Sequence, residues 1–220
     1  MMKANSIEPK VPAIAPVLLL VAALAESLLS LYQWMELVLV RSGGKAICAV
    51  NSTVNCTMVW NSAFASRIHS LLGVPIAALG LVWGLSAFGL ALALSHRVAA
   101  GKSPRPLIAA LKLTAALGAL SCISFAVGSY NAGALCLTCL TTFALVFTFA
   151  GLTFKLLPGA FPPAGDELKP ALLWCAGLIG AIYLALLYPG LETPRARPEA
   201  LSVKAAPEGP AATVSETARM

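Results

Sequence analysis

Four of the six cysteines in this sequence are grouped in two pairs. Cys48 and Cys56 have seven residues between them, whereas Cys136 and Cys139 form a Cys-Leu-Thr-Cys motif that opens an apolar run. If a helix begins at this motif, both sulfur atoms lie on one side of its first turn, near the positive end of the helix dipole. That end stabilises a thiolate, which is the nucleophile in disulfide exchange. The motif is therefore suited to redox chemistry.

Two other uses of these cysteines are compatible with the sequence. The four thiolates, or three of them together with His69, form a donor set for zinc. Structural zinc sites usually draw on close-spaced pairs at both ends, however, and the spacing from Cys48 to Cys56 is wide. The pairs also suit two inert disulfides, which persist on an oxidising face. Redox exchange between the pairs is the interpretation that we favour.

The chain that carries these cysteines is too apolar for a soluble domain. Of its 220 residues, 59% are hydrophobic and 11% are charged, whereas about a quarter are charged in soluble proteins. About 20 apolar residues in a helix cross a bilayer core, and helices are required because an open strand would leave its backbone groups unpaired in lipid. The sequence predicts an all-α integral membrane protein with five transmembrane helices, at about residues 11–40, 71–94, 107–130, 134–154 and 171–189.

The basic residues indicate how this bundle is oriented. The net charge is +6, but Lys and Arg stand in short segments between apolar runs, which indicates topology and not a nucleic-acid partner. With residues 1–10 in the cytoplasm, eight basic residues lie inside and five outside. Two spans separate segments 41–70 and 131–133, so both lie on the outer face. Alternatively, the first apolar run is a cleaved secretory signal, which would leave too little apolar chain before Arg41 to span.

Three reactive side chains fall inside the predicted spans. Cys122 and Cys175 are expected to pack as small apolar residues, because a free buried cysteine behaves in this way. Glu26 is a functional-site hypothesis, as any ionisable residue within a span is. The role that we expect for it is that of a neutral, hydrogen-bonded carboxyl in the bundle, since a buried charge is costly.

The shared outer face allows the two cysteine pairs to exchange electrons through a mixed disulfide. The pair in the first loop faces water, where a soluble partner can meet it. The Cys-x-x-Cys pair lies at the edge of the lipid, where a quinone dissolved in the membrane can reach it. The arrangement predicts an electron relay from a soluble dithiol to a membrane quinone.

A series of motifs follows in a set order along the chain. They are Leu29-Ser30-Leu31-Tyr32, the Cys48 to Cys56 spacing, Ser62, Gly73-Val74-Pro75 and Cys136-Leu137-Thr138-Cys139-Leu140-Thr141-Thr142. Together they cover most of residues 15–155, and they resemble the vitamin K epoxide reductase family in its bacterial branch. Similarly shaped quinone reductases carry their Cys-x-x-Cys in the first loop, so the order of the pairs favours the former family.

The resemblance implies a fold and a domain plan. Residues 11–157 would form the four-helix catalytic core of that family, with 41–70 as its periplasmic loop. Residues 158–190 would add a loop and a fifth transmembrane helix. Residues 191–220, which are rich in Pro, Ala and Glu, read as a disordered periplasmic tail. Many bacterial relatives carry a fused thioredoxin-like domain after the fifth span, but the residues that follow it here contain no cysteine.

The resemblance also implies a role for each catalytic cysteine. Cys48 would exchange with a thioredoxin-like partner, and Cys56 would pass the electrons to Cys136. Cys139 would be the thiol nearest the quinone. The partner would be a separate periplasmic protein.

A quinone-binding set follows from the same resemblance. Ser62 matches the family's hydroxyl residue beside the active site, although a serine here also suits a helix cap. Phe64 lies on a segment, 57–72, that resembles the half-helix capping the quinone pocket, although the spacing alone predicts a plain interfacial helix. Thr142 and Phe143 complete the set. Phe143 stands where the animal pattern has a tyrosine, so a phenol for a quinone carbonyl is absent, which favours a simple quinone over vitamin K epoxide as substrate.

The sequence therefore predicts a multi-pass thiol:quinone oxidoreductase of the bacterial inner membrane with its active site on the periplasmic side. Ubiquinone or menaquinone would be the electron acceptor, and no metal is expected. The alternative is a non-catalytic membrane scaffold or transporter with structural periplasmic disulfides.

Overall fold

The computed structural model of the protein describes residues 11–51, 53–163 and 165–196. Five of its helices are long and apolar enough to cross a membrane, and the described residues contain no β-strand. The predicted all-α membrane fold is thereby confirmed. The helices are α1 (Ile14–Arg41), α2 (Cys56–Trp60), α3 (Ala63–Leu72), α4 (Ile76–Ala99), α5 (Arg105–Asn131), α6 (Leu137–Leu156) and α7 (Gly165–Glu192).

Two of the predicted spans begin or end elsewhere in the structure. The second does not begin at residue 71, because α3 continues to Leu72 and ends at Gly73, whose φ of 72° is the left-handed conformation that glycine adopts freely. Pro75 then precedes the first residue of α4. The last helix, α7, is longer than the predicted 171–189 and includes both Pro170 and Pro189.

The long helices pack as a bundle in which α1 contacts α4 and α6, and α7 contacts α4 and α5. Helices α1 and α4 approach each other closely. A Cβ atom added to Gly84 would lie only 2.7 Å from the Ser27 Oγ atom, and one added to Gly80 would overlap the Ser30 hydroxyl. Small residues at a helix crossing let two backbones approach in a membrane. At this crossing, Ser27 and Ser30 of α1 lie directly against Gly84 and Gly80 of α4.

The apolar residues separate into a buried set and an outward set. Leu19, Leu90 and Phe149 are fully buried between helices, whereas Leu28 and Leu173 are more than half exposed. An outward leucine is unfavourable in water but suits contact with acyl chains. The exposed apolar surface therefore fits a multi-pass membrane protein.

The C-terminal part of α7 and the residues that follow it are hydrogen-bonded to α1 and α3. The Trp34 indole donates a hydrogen bond to the Thr193 hydroxyl (2.9 Å), and the Tyr183 hydroxyl donates to the Leu72 carbonyl. Thr193 is buried. The expected disordered tail therefore does not begin at residue 191, because these contacts order the chain up to this point. The remaining tail residues from 197, and residues 1–10, lie outside the described residues.

Candidate active site

The four predicted catalytic cysteines form two disulfides, Cys48–Cys56 and Cys136–Cys139. Three of them, all but Cys139, are buried in one cluster with Leu37 and Trp60, at the end of the bundle where α1 ends and α6 begins. Cys122 and Cys175 are buried elsewhere as free thiols. The fold thus gathers the two pairs and keeps the remaining cysteines apart from them.

The loop between α1 and α2 is hydrogen-bonded to the short segment before α6, and this brings the two pairs together. The Asn55 amide donates to the Leu135 carbonyl (2.9 Å), and the Leu135 amide donates to the Thr53 carbonyl (2.7 Å). These bonds place Cys56, the next residue after Asn55, beside Cys136, the next residue after Leu135. At the other end of the loop, the Ile47 amide donates to Glu36 Oε2 (3.1 Å). Backbone pairing therefore sets the register of the two cysteine segments.

Thr138 lies between the two disulfides. Its Oγ1 atom is 3.7 Å from the Cys56 Sγ atom and 3.4 Å from the Cys136 Sγ atom. One hydroxyl group thus contacts a sulfur atom of each pair. Sequence analysis assigned no role to this residue, although its place inside the Cys-x-x-Cys motif was a signal for one. The contacts place Cys56 and Cys136 beside the same hydroxyl group.

The Cys-x-x-Cys motif lies across the start of α6. Cys136 is the N-cap residue and has an extended backbone, so it precedes the first turn in which we expected to find it. Its Sγ atom accepts a hydrogen bond from the Cys139 amide (3.2 Å). Cys139 lies in the first turn itself. An amide donor and the positive end of the helix dipole therefore both favour negative charge on the Cys136 sulfur.

A small cavity of about 60 Å³ opens beside Cys139. The four residues predicted to bind quinone all line it, namely Ser62, Phe64, Thr142 and Phe143. Ser30 and Gln33 of α1 also line it, and Gln33 Nε2 donates to Thr142 Oγ1 (2.9 Å). Gln33 was not anticipated, because a glutamine one residue after the Leu-Ser-Leu-Tyr motif gives no sign of which way it faces. The cavity combines a redox sulfur with an apolar wall and a few hydroxyl and amide groups.

The segment that covers this cavity is two helices and not the single half-helix expected over 57–72. Helix α2 ends at Trp60. Ser62 then caps α3 by accepting a hydrogen bond from the Ala65 backbone amide (3.2 Å). Ser62 is therefore both a helix cap and a wall residue. The Phe64 ring lies against Gly128 of α5, where a Cβ atom would come within 2.5 Å of the ring.

A buried arginine joins the covering helices to α1 and α7. Arg41 donates to Asn61 Oδ1 (3.1 Å), to the Trp60 carbonyl (2.9 Å) and to the Pro194 carbonyl (2.9 Å), and it is 2.9 Å from His69 Nδ1. Sequence analysis counted Arg41 only as a topology signal. Its side chain instead connects four segments at the outer end of the bundle.

His69 belongs to the same network and does not approach the cysteines. Its Nε2 atom is 3.1 Å from the Gly190 carbonyl, and its side chain is buried. Burial lowers the pKa of His69, and the charges of Arg195 and Arg41 lower it further, against the opposing hydrogen bond to Gly190. The ring is therefore held neutral at pH 7, between α3 and α7.

A zinc site would need these cysteines as thiolates. In the structure the four cysteines are oxidised in pairs, and a disulfide sulfur is not the thiolate that zinc binds. Within the described ranges, no group of three or more His, Cys, Asp or Glu side chains is arranged to hold a metal ion.

Comparison with known protein families agrees with this arrangement of cysteines. The model of the vitamin K epoxide reductase family matches residues 14–154, which run from the first residue of α1 almost to the end of α6. The chain belongs to the vitamin K epoxide reductase family. No curated protein and no solved structure matches it.

Membership in the vitamin K epoxide reductase family makes this chain a membrane thiol-disulfide oxidoreductase. The family generally uses electron carriers of the quinone type. The matched range includes both disulfides and every predicted quinone-binding residue. The helix α7 lies beyond that range, although it contacts α4, α5 and the network around Arg41.

Proposed function

We propose that this protein is a thiol:quinone oxidoreductase of the bacterial branch of the family, in the inner membrane. It would reoxidise a separate periplasmic thioredoxin-like protein and pass the electrons through both cysteine pairs to ubiquinone or menaquinone. The observation that carries the proposal is the position of Thr138, which contacts both Cys56 and Cys136. Cys139, by contrast, lines a cavity that neither Cys56 nor Cys136 lines.

The first step is exchange with the soluble partner at Cys48. A thiolate of the partner attacks the Cys48 sulfur and displaces Cys56 as a thiolate, and the second thiol of the partner then resolves the mixed disulfide. Cys48 is flanked by the side chains of Ile47 and Val50, which are 78% and 68% exposed. These apolar side chains, on a loop outside the bundle, support docking of a protein surface around Cys48.

The second step moves the electrons from the loop pair to α6. The Cys56 thiolate attacks the Cys136 sulfur and displaces Cys139, and the Cys48 thiolate then attacks Cys56 and displaces Cys136. The Cys48–Cys56 disulfide is thereby restored and the pair on α6 is reduced. The Thr138 hydroxyl supports this step, because it can donate a hydrogen bond to whichever of the two sulfur atoms carries the charge.

The third step occurs at the cavity beside Cys139. Two electrons leave the reduced pair as its S–S bond forms again, and the quinone takes them with two protons to become a quinol. Phe143 offers no hydroxyl group to the ring, so we propose a quinone and not an epoxide as the substrate. Gln33 and Thr142 supply polar contacts at this level of the cavity.

The relay can be tested with cysteine variants in lipid nanodiscs. Quinol formation is followed by absorbance after addition of a reduced thioredoxin-like protein and a short-chain ubiquinone or menaquinone. Replacing Cys48, Cys56, Cys136 or Cys139 by alanine is expected to abolish turnover, whereas Cys175→Ala, at a buried free thiol, is expected to retain it. Full turnover in the Cys48 and Cys56 variants would contradict the relay, whereas no turnover in the wild-type protein would favour a membrane scaffold with structural disulfides.

A further inference from the structure

Glu26 lies in α1 and its side chain is fully buried. None of the three proposed steps uses its carboxyl group. Its Oε1 atom accepts a hydrogen bond from the Ser30 hydroxyl (2.8 Å). Its Oε2 atom has no hydrogen-bond partner within the part of the chain that the structure describes. A buried carboxylate with an unpartnered oxygen is strongly unfavourable, so the group is a protonated acid with one donor unused.

This unused donor lies in the wall of a second cavity. The cavity has a volume of about 230 Å³ and is lined by residues of α1, α4, α5, α6 and α7. It shares Gly80, Phe125, Thr142 and Phe143 with the cavity beside Cys139. Glu26 is the one acidic residue among the described residues that line the two cavities. These four shared residues, which we call the partition, thus lie between the Cys139 sulfur atom and the Glu26 carboxyl group.

The sizes of the two cavities decide where a quinone ring fits. The cavity beside Cys139 measures about 60 Å³, the volume of roughly two water molecules, whereas a protein cavity known to accept benzene measures about 150 Å³. A six-membered ring with one edge at Cys139 therefore has to displace the partition. Its other edge then extends into the larger cavity, toward Glu26.

The polar residues of α1 match a ring in this position. Glu26, Ser30 and Gln33 are at positions i, i+4 and i+7, so they share one face of the helix. Gln33 and Ser30 line the cavity beside Cys139, and Glu26 lines the larger one. Ser30 donates to Oε1 of Glu26, which leaves Oε2 free to face the cavity. Gly80 allows this geometry, because a Cβ atom there would overlap the Ser30 hydroxyl.

We infer that Glu26 is the proton donor to the quinone oxygen farther from Cys139, and that Ser30 orients the Glu26 carboxyl group for this transfer. The inference rests on the proposed function, and it adds the residue that protonates this second quinone oxygen. In the step, the Cys139 thiol and the Cys136 thiolate lose two electrons as their S–S bond forms. One proton comes from the Cys139 thiol and the other from Glu26, so that the negative charge passes from the Cys136 sulfur to the Glu26 carboxylate. That carboxylate regains a proton from water as the quinol leaves.

The test uses Glu26→Gln in the full chain, because glutamine keeps the size of the side chain but has no acidic proton. General acid catalysis typically contributes 10²- to 10⁴-fold, so we expect kcat for quinone reduction to fall at least about tenfold, with KM for the quinone little changed. Single-turnover exchange from the reduced partner to the Cys136–Cys139 disulfide, measured without quinone, should keep its wild-type rate. Ser30→Ala should lower kcat by a smaller factor.

Ser27→Ala is the matched control, because Ser27 is a buried serine of the same helix that donates to the Ala23 carbonyl of its own helix. It should reduce quinone at the wild-type rate. Wild-type kcat in both Glu26→Gln and Ser30→Ala would overturn the inference, as would equal losses in quinone reduction and in disulfide exchange. If the wild-type protein itself reduced no quinone, the proposed function would fail instead. Ser30→Ala retains a test of the inference if Glu26→Gln fails to fold.

Discussion

At the scale of single residues, the chemistry depends on which sulfur atoms are neighbours. Thr138 contacts one sulfur of each disulfide, and the Cys139 amide donates to the Cys136 sulfur. Both interactions favour negative charge on Cys136 or Cys56 over Cys139. The exchange between the pairs is therefore expected to run through the Cys56–Cys136 bond.

Replacing Thr138 by valine removes this hydroxyl group and nearly keeps the shape of the side chain. A hydrogen bond to a charged group contributes about 1.5–3 kcal/mol, so we expect transfer from Cys56 to Cys136 to slow by about tenfold or more. The rate is measured by quenching with acid and alkylating the free thiols. Thr141→Val is the control, since Thr141 is exposed and donates to the Leu137 carbonyl. Equal rates in the two variants would contradict the role of Thr138.

Replacing Cys139 by serine should trap the bond between the pairs. Cys48 is replaced by serine as well, because its thiolate would otherwise attack Cys56 and release Cys136. Oxidation of the remaining thiols with diamide is then expected to form a stable Cys56–Cys136 disulfide, which non-reducing peptide mapping detects. Cys136→Ser provides the comparison, because Cys139 lies one turn into α6 and does not share the Thr138 contact. A cross-link from Cys56 to Cys139 in that variant, equal in yield, would contradict the assigned order.

At the scale of helices, α7 holds the covering segment to the bundle. Trp34 of α1 donates to Thr193, and His69 of α3 contacts the Gly190 carbonyl. Gly190 itself is packed so closely against Val74 that a Cβ atom there would overlap the valine side chain. Helix α7 therefore helps to position α3, although it lies outside the range that matches the family.

The bond between Trp34 and Thr193 is testable by a double-mutant cycle. Trp34→Phe and Thr193→Val each remove one partner of a buried hydrogen bond, and we expect a coupling free energy of about 1 kcal/mol. Thermal unfolding in detergent measures it. Thr148→Val, at an exposed position of α6, should show no coupling with Trp34→Phe. Additive losses in the Trp34 and Thr193 pair would show that the two residues act independently.

His69 predicts how the contact between α3 and α7 depends on pH. Burial lowers the pKa of His69 in the folded protein, whereas the unfolded chain has the ordinary value of about 6.5. The unfolded state therefore binds the proton more readily, so this stability is complete above pH 6.5 and is lost as the pH falls below it. His69→Gln should flatten the dependence of the unfolding temperature on pH between about 7 and 5. An unchanged slope would contradict the assignment to His69.

At the scale of the whole molecule, five crossings place the two cysteine pairs on one side of the membrane. The loop between α1 and α4 and the loop between α5 and α6 are separated by two helices, so they share a face. The loop between α4 and α5 lies on the opposite face. All the proposed thiol chemistry is therefore expected on the outer side of the bilayer.

Labelling in whole cells tests this orientation. A thiol reagent that does not cross membranes should label Cys48 after mild reduction of intact spheroplasts. A cysteine introduced as Ser103→Cys, at an exposed position in the loop between α4 and α5, should be labelled only after the membrane is permeabilised. Labelling in the reverse order would invert the topology.

The sequence alone determined the number of spans, the two cysteine pairs and the family, because hydropathy over about 20 residues and short motifs are local properties of a chain. It did not locate the break after Trp60, the burial of His69 or the order in the first residues of the tail. Those features depend on hydrogen bonds between segments that are far apart in the chain.

Only the tertiary structure decided which pairs meet and which polar side chains face the cavities. Cys56 and Thr138 are 82 residues apart, and Gln33 and Thr142 are 109 apart. Their contacts are set by the rotation of each helix about its axis and by the pairing of Asn55 with Leu135. Glu26 is the clearest case. Its place in an apolar span marked it as unusual, but the burial of its unpartnered oxygen and the adjacent cavity exist only once five helices have packed together.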